Sequence, residues 1–115
     1  MYSKVLSGTL YGVEGRLITV EADVSDGLPV FNMVGFLASE VREAGDRVRT
    51  ALKNSGFLLP PKRITVNLSP ADLRKEGSFF DLPICISVLA AYGYIPGDLL
   101  EGILLLGELL SLIHI

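Results

Sequence analysis

The chain has almost nothing from which to build a metal or redox centre: one cysteine, one histidine and no tryptophan in 115 residues. Cys85 alone cannot close an internal disulfide, so nothing points to an oxidising compartment. Its neighbours in Leu82-Pro-Ile-Cys-Ile-Ser-Val-Leu89 are mostly apolar, and a buried, inert thiol is expected. With one His, one Cys and no clustered carboxylates, a zinc or iron site is excluded. His114 is the penultimate residue, which leaves a Ser-His-Asp triad without a histidine inside the domain. Basic excess is missing too. A net charge of -3 gives no general attraction to nucleic acid or to an anionic membrane, so such binding would need a local patch. Long apolar runs are absent, since Gly, Asp and Glu interrupt Ile95 to Leu110 well short of the roughly 18 residues of a membrane span. Met1-Tyr-Ser-Lys4 leads into Gly8, Gly12 and Glu14 rather than an apolar core, so no signal peptide is expected. No G-x-x-x-x-G-K-S/T loop of phosphate-cradling amides occurs, and this chain alone should not bind ATP. A cytoplasmic protein is the expectation.

What is present fits one domain. Half the residues are hydrophobic and 20% charged, with a mean hydropathy of +0.48. That composition fills a core and leaves apolar surface over. Lys4 to Asp23 reads as two strands around a Gly12-Val-Glu-Gly15 turn. Asp26-Gly27 marks a second turn before a short strand, Pro29 to Val34, which predicts a three-stranded antiparallel meander. The period then changes to 3.6. Val41, Ala44, Val48, Ala51, Leu52 and Ser55 share one helical face, with Ser39 as N-cap and Gly56-Phe57 closing the end. Glu43 and Arg47 stand at i,i+4 in the favourable order. Gly45 inside this helix predicts close packing against the sheet. Arg63 to Leu68 is a half-buried strand. A second helix begins near Phe80 to Leu82, is apolar nearly all round and ends at Gly93; a last strand covers Ile103 to Leu106. The order β-β-β-α-β-α-β makes an α+β domain with a mainly antiparallel sheet and helices on one face.

Two groups of residues are candidates for function. The charged loop before the second helix carries Arg74, Lys75, Glu76, Gly77 and Ser78, with Asp81 just beyond. Loops held between rigid elements often carry function. Lys75 and Ser78 admit a Ser-Lys nucleophilic pair, but the simpler reading has Lys75 and Glu76 solvating a loop while Ser78 or Asp81 caps the helix. The other group is a basic face on the first helix, Arg42, Arg49 and Lys53 at spacings of seven and four. Interleaved Glu43, Asp46 and Glu76 favour a solvated face with ordinary salt bridges, and no aromatic residue interleaves as a stacking platform.

In combination, Val34-Gly35, Arg47-Val-Arg, Lys53-Asn-Ser-Gly-Phe57, Ile64-Thr-Val-Asn-Leu-Ser-Pro-Ala-Asp72, Lys75-Glu-Gly-Ser78 and Asp81-Leu-Pro83 resemble the ComM/YifB family of Mg-chelatase-like AAA+ ATPases. The resemblance implies a ribosomal protein S5 domain 2-like fold, shared with the Lon proteolytic domain. It implies a parent protein with a downstream AAA+ module, ATP and Mg2+ as that module's cofactors, a homo-hexamer, and DNA processing of the branch-migration kind linked to natural transformation. Lon proteases carry a Lys-Asp-Gly-Pro-Ser-type sequence ending in the nucleophile. Here Phe79 takes that place and Ser78 falls one residue early.

The resulting expectation is an amino-terminal accessory domain without catalytic, nucleotide-binding or metal-binding residues of its own. A Lon-like Ser-Lys peptidase and a stand-alone S5-like nucleic-acid-binding module are the alternatives. Past Leu109 the family pattern is lost. Residues 1–109 therefore read as a domain incomplete at its C-terminal end, and 110–115 as an aberrant or disordered tail. An all-round apolar second helix and a doubly apolar last strand further predict marginal stability and self-association through Leu82 to Ala91 and Ile103 to Leu110.

Overall fold

Residues 1–109 are described by a computed structural model. Strands β1 (Tyr2–Tyr11) and β2 (Glu14–Ser25) form a hairpin, in antiparallel register from Tyr2↔Asp23 to Tyr11↔Glu14. Gly12 turns it at φ 64, a conformation that costs glycine little. β4 (Arg63–Ser69) lies antiparallel on the other side of β2. Every second residue of β2 and β4 is buried: Ile18, Val20, Ala22 and Val24, then Ile64, Val66 and Leu68. This period of two places all seven on one face of the sheet.

β3 (Phe31–Val34) does not continue a meander. It runs parallel to β4, and the sheet order is β1-β2-β4-β3. The sheet is thus mixed, which corrects the expected three-stranded antiparallel start. A parallel neighbour needs a long crossover, and the helical segment between β3 and β4 supplies it. That segment breaks into α1 (Ser39–Arg42) and α2 (Ala44–Asn54), separated at Glu43. Ser39 is the first residue of α1, and Ala38 holds the cap position without a side-chain hydrogen bond. At the other end the Gly56 cap forms as expected, with φ 88 and the Phe57 amide reaching the Leu52 carbonyl at 2.9 Å. Gly45 does face the sheet: a Cβ there would stand 2.9 Å from the Phe31 ring.

α3 (Asp81–Ala91) packs across β1, β2 and β4 and against α2. Nine of its eleven residues are buried within the chain itself. The expectation that this helix would be left sticky is therefore corrected. Each large apolar side chain so covered stabilises the fold by about 1.5–3 kcal/mol. Exposed apolar residues lie elsewhere, among them Leu10, Tyr11, Val13 and Leu17 of the hairpin and Ile103, Leu104 and Leu106.

The expected last strand is not formed as such. A short 3-10 turn occupies Gly97–Leu100, and Ile103 to Leu106 then contributes one parallel bridge, Leu6↔Leu104. The Leu105 amide donates to the Leu6 carbonyl at 2.9 Å, and Ser7 Oγ donates to the Leu105 carbonyl at 2.8 Å. The element order is β-β-β-α-α-β-α rather than β-β-β-α-β-α-β. Expectations for residues 110–115 lie outside the described residues.

Candidate functional site

The chain leaves β4 and reaches α3 through the loop that the sequence singles out. Leu37 and Lys75 form a parallel bridge. The Lys75 amide donates to the Phe36 carbonyl and the Ala38 amide to the Lys75 carbonyl, both at 2.9 Å. A strand-like backbone at this point turns the Lys75 side chain inward. Lys75 is fully buried, which corrects its reading as a solvating residue. Its ammonium donates to the carbonyl oxygens of Pro70 and, at 2.6 Å, Leu73. Burial pulls its pKa below the ordinary 10.5, opposed by the nearby Asp72 carboxylate.

A pH dependence follows from that burial. Because the folded value is depressed, the unfolded chain binds the Lys75 proton first as pH falls through the window below 10.5. Lys75 therefore opposes folding increasingly toward lower pH within that window, and stability rises with pH across it. Replacing it by methionine removes the term. The difference in unfolding free energy between the wild type and Lys75→Met should vary with pH between neutrality and pH ~10. A pH-independent difference in urea titrations would show that Lys75 has the same pKa folded and unfolded.

The neighbouring residues divide sharply. Arg74 and Glu76 face solvent and approach each other at 3.7 Å, a surface pair that contributes little. Gly77, at φ 85, donates its amide to Glu40 Oε1 at 2.8 Å. That hydrogen bond holds the Glu40 carboxyl below its usual pKa, helped by Glu40's own amide. Ser78 Oγ donates to Glu108 Oε1 at 2.7 Å, tying the loop to the segment after the 3-10 turn. Beside it, the Gly107 amide donates to the Phe79 carbonyl at 2.8 Å and the Leu82 amide to the Gly107 carbonyl at 3.0 Å. The Lys75 ammonium and the Ser78 hydroxyl thus each have other partners.

Asp81 is the deepest carboxylate of the group. It opens α3 without capping it. Its side chain is 1% exposed and receives two hydrogen bonds from Arg47, Nε to Oδ2 at 2.7 Å and Nη2 to Oδ1 at 2.8 Å. Arg47 Nη2 also donates to the Glu40 carbonyl. The expected surface pairing of Arg47 with Glu43 gives way to this two-pronged pair. Asp81 raises the pKa of Arg47, first by hydrogen bonding, against the opposing effect of burial. The sequence reading missed Arg47, Glu40 and Glu108 as members of the cluster. Arg47 and Asp81 both stand in the family-like motifs, but nothing in the spacing pairs them.

The basic face is distributed differently from expectation. Arg42 sits on α1, and Arg49 and Lys53 sit one turn apart on α2; all three are exposed. Arg49 lies over the Phe31 ring, 5.5 Å from its centroid. A cleft of about 410 Å³ beside α2 is lined by Arg49, Lys53, Lys62, Phe57 and Tyr92 among others. Aromatic residues do accompany these cations, contrary to the sequence reading, because the chain folds them in from positions before and beyond α2.

Cys85 is buried among apolar neighbours, which push its pKa up to about 11. The thiolate that would act as nucleophile is suppressed. Among the described residues no group of three His, Cys, Asp or Glu side chains could hold a metal ion. None of the helices there is long and apolar enough to cross a membrane.

The family model described as subunit ChlI of Mg-chelatase matches residues 20–112. The YifB protein of Salmonella typhimurium is 50% identical over 98 residues, covering 85% of this chain and 19% of that protein. Its Escherichia coli counterpart is 51% identical over the same shares. The competence protein ComM of Haemophilus influenzae is 55% identical over 87 residues, 76% of this chain and 17% of its own length. The chain therefore spans about a fifth of the length of these relatives. With most of its length matched both by that model and by these relatives, it belongs to the ComM/YifB family of Mg-chelatase-like proteins.

Proposed function

We propose that this chain is a non-catalytic accessory region of a Mg-chelatase-like AAA+ ATPase that acts on DNA, serving assembly or substrate engagement at the amino-terminal end of the whole protein. The main support is that Lys75, Ser78 and Asp81 of the 75–81 segment are each engaged by groups of the fold itself. Lys75 binds two carbonyls, Ser78 binds Glu108 and Asp81 binds Arg47. A Ser-Lys nucleophilic pair needs its two side chains within hydrogen-bond reach of each other, and here Lys75 donates to backbone carbonyls while Ser78 donates to Glu108. The phosphate chemistry of the proposed motor would belong to residues outside this chain, since no P-loop occurs here. The Haemophilus influenzae relative is named a competence protein. DNA handling by a homo-hexamer in the cytoplasm is the matching proposal for the whole protein.

The test is direct. Purified chain, supplied with ATP and Mg2+ or with unfolded peptides, should turn over neither. Peptide cleavage that disappears in Ser78→Ala, with the circular dichroism spectrum unchanged, would favour the Lon-like peptidase. In the whole protein, removing residues 1–109 should alter assembly or DNA-dependent ATP hydrolysis. Unchanged behaviour in both respects would refute the accessory role.

A further inference from the structure

The cleft beside α2 brings three cationic side chains together with aromatic ones. Arg49 and Lys53 project from α2 about 6 Å apart along its axis, and Lys62 faces them from the connection to β4. Phe57 and Leu59 contribute apolar wall to the same cleft. Tyr94 packs edge-on against Phe57, with ring centroids 5.4 Å apart. Its hydroxyl donates to the Leu58 carbonyl at 3.3 Å, which holds the half-exposed ring against Phe57 and Leu58, two residues of the cleft wall. Arg49 is pre-positioned by the Phe31 ring beneath it. Among the described residues, Asp26 is the one carboxylate paired with any of the three cations, at 2.8 Å from Lys62. The Asp26 side chain is 96% exposed, so an incoming anion can replace it at little cost.

We propose that this cleft binds single-stranded nucleic acid, with Arg49, Lys53 and Lys62 on phosphates and Tyr94 stacked on a base. The inference deepens the reading above by naming the surface through which DNA would be engaged. Cations flanking an aromatic ring match a strand that alternates phosphate with an exposed base face. A duplex keeps its base faces stacked inside and leaves Tyr94 without a partner. The overall charge of -3 limits affinity and makes it sensitive to salt.

Fluorescence anisotropy of a labelled oligothymidine against the 115-residue chain tests this. Three phosphate contacts predict a slope of about -2 for log affinity against log salt. Arg49→Glu with Lys53→Glu should weaken binding about tenfold or more at low salt and flatten that slope. Tyr94→Ala should weaken it at least about fivefold. The same change in net charge placed on the hairpin, Lys4→Glu with Arg16→Glu, should leave affinity near the wild-type value. Circular dichroism and the thermal midpoint establish that each variant is folded, and Lys53→Glu alone replaces the double variant if Arg49→Glu unfolds the chain. Salt-insensitive binding, equal binding by the cleft and hairpin variants, or equal affinity for polyglutamate overturns the proposal. ATP hydrolysis by the whole protein is a separate readout, so an inactive cleft and a failed accessory role are distinguishable results.

Discussion

Arg47→Ala is expected to destabilise the chain by about 3–5 kcal/mol, because it strands the Asp81 carboxylate without its partner in the interior. Asp81 is 1% exposed and Arg47 19% at their side chains, so the lower end of that range is the better estimate. Against a total of about 5–15 kcal/mol for a small domain, this removes a large share of the stability. Arg47→Lys should restore only part of the loss, since an ammonium cannot reproduce the two-pronged contact. Replacing both partners, Arg47→Met with Asp81→Leu, should recover much of it by removing the uncompensated charge. Urea unfolding of the two single variants and the double variant closes the thermodynamic cycle. A loss under about 1 kcal/mol for Arg47→Ala would mean that the pair behaves as an ordinary surface bridge.

Gly35→Ala is expected to cost about 3 kcal/mol for a different reason, combining backbone strain with overpacking. Gly35 ends β3 at φ 135, and a Cβ there would stand 2.6 Å from the Leu68 carbonyl oxygen. The Leu37 Cδ2 at 3.3 Å can give way, but the Leu68 oxygen is backbone of β4, held in the interior of the sheet. The strain would be relieved by moving Phe36 to Ala38, the segment whose hydrogen bonds clamp Lys75. Two measurements follow. The urea midpoint should fall with an unchanged denaturant dependence, and amide exchange at Ala38 and Lys75 should quicken more than at Val20 in the sheet centre. Uniform acceleration at all three positions would show that Gly35 supports global stability without a special role at the loop.

Local signals in this chain are strong where the backbone itself decides the outcome. Gly56 and Gly93 end their helices in the left-handed region, as their places after apolar-periodic segments require. β4 buries Ile64, Val66 and Leu68 because alternation alone puts them on one face. The family was legible from its motifs, and the loop from Lys75 to Asp81 stood out as the most distinctive segment. The same signals misplaced β3. A four-residue strand has no preference between β2 and β4 written into it, and only the crossover through α1 and α2 sets it parallel to β4. The weak Ile103 to Leu106 signal overstated a strand that forms just one bridge to β1.

For the candidate site, residue type and position were evident while partnership was not. Lys75 reads as a surface residue in any local window, since lysine is rarely buried without a partner. The three-dimensional fold supplies carbonyl oxygens of Pro70 and Leu73 for its ammonium. Arg47 and Glu43 satisfy the helical spacing rule, yet Arg47 turns to Asp81, 34 residues away, because a buried carboxylate attracts it more than an exposed one does. The aromatic rings near Arg49 and Lys53, Phe31 under Arg49 and Phe57 and Tyr92 in the shared cleft, come from different parts of the chain. By itself the sequence determined the α+β class, the helix stops, the buried strand faces, the family and the absence of a P-loop. All of these rest on covalent geometry or on periodicity along a few residues. The tertiary structure alone decided strand order, the inward turn of Lys75, the Arg47–Asp81 pair and the cation-aromatic cleft, because each joins groups distant in the chain whose encounter depends on how the whole core packs.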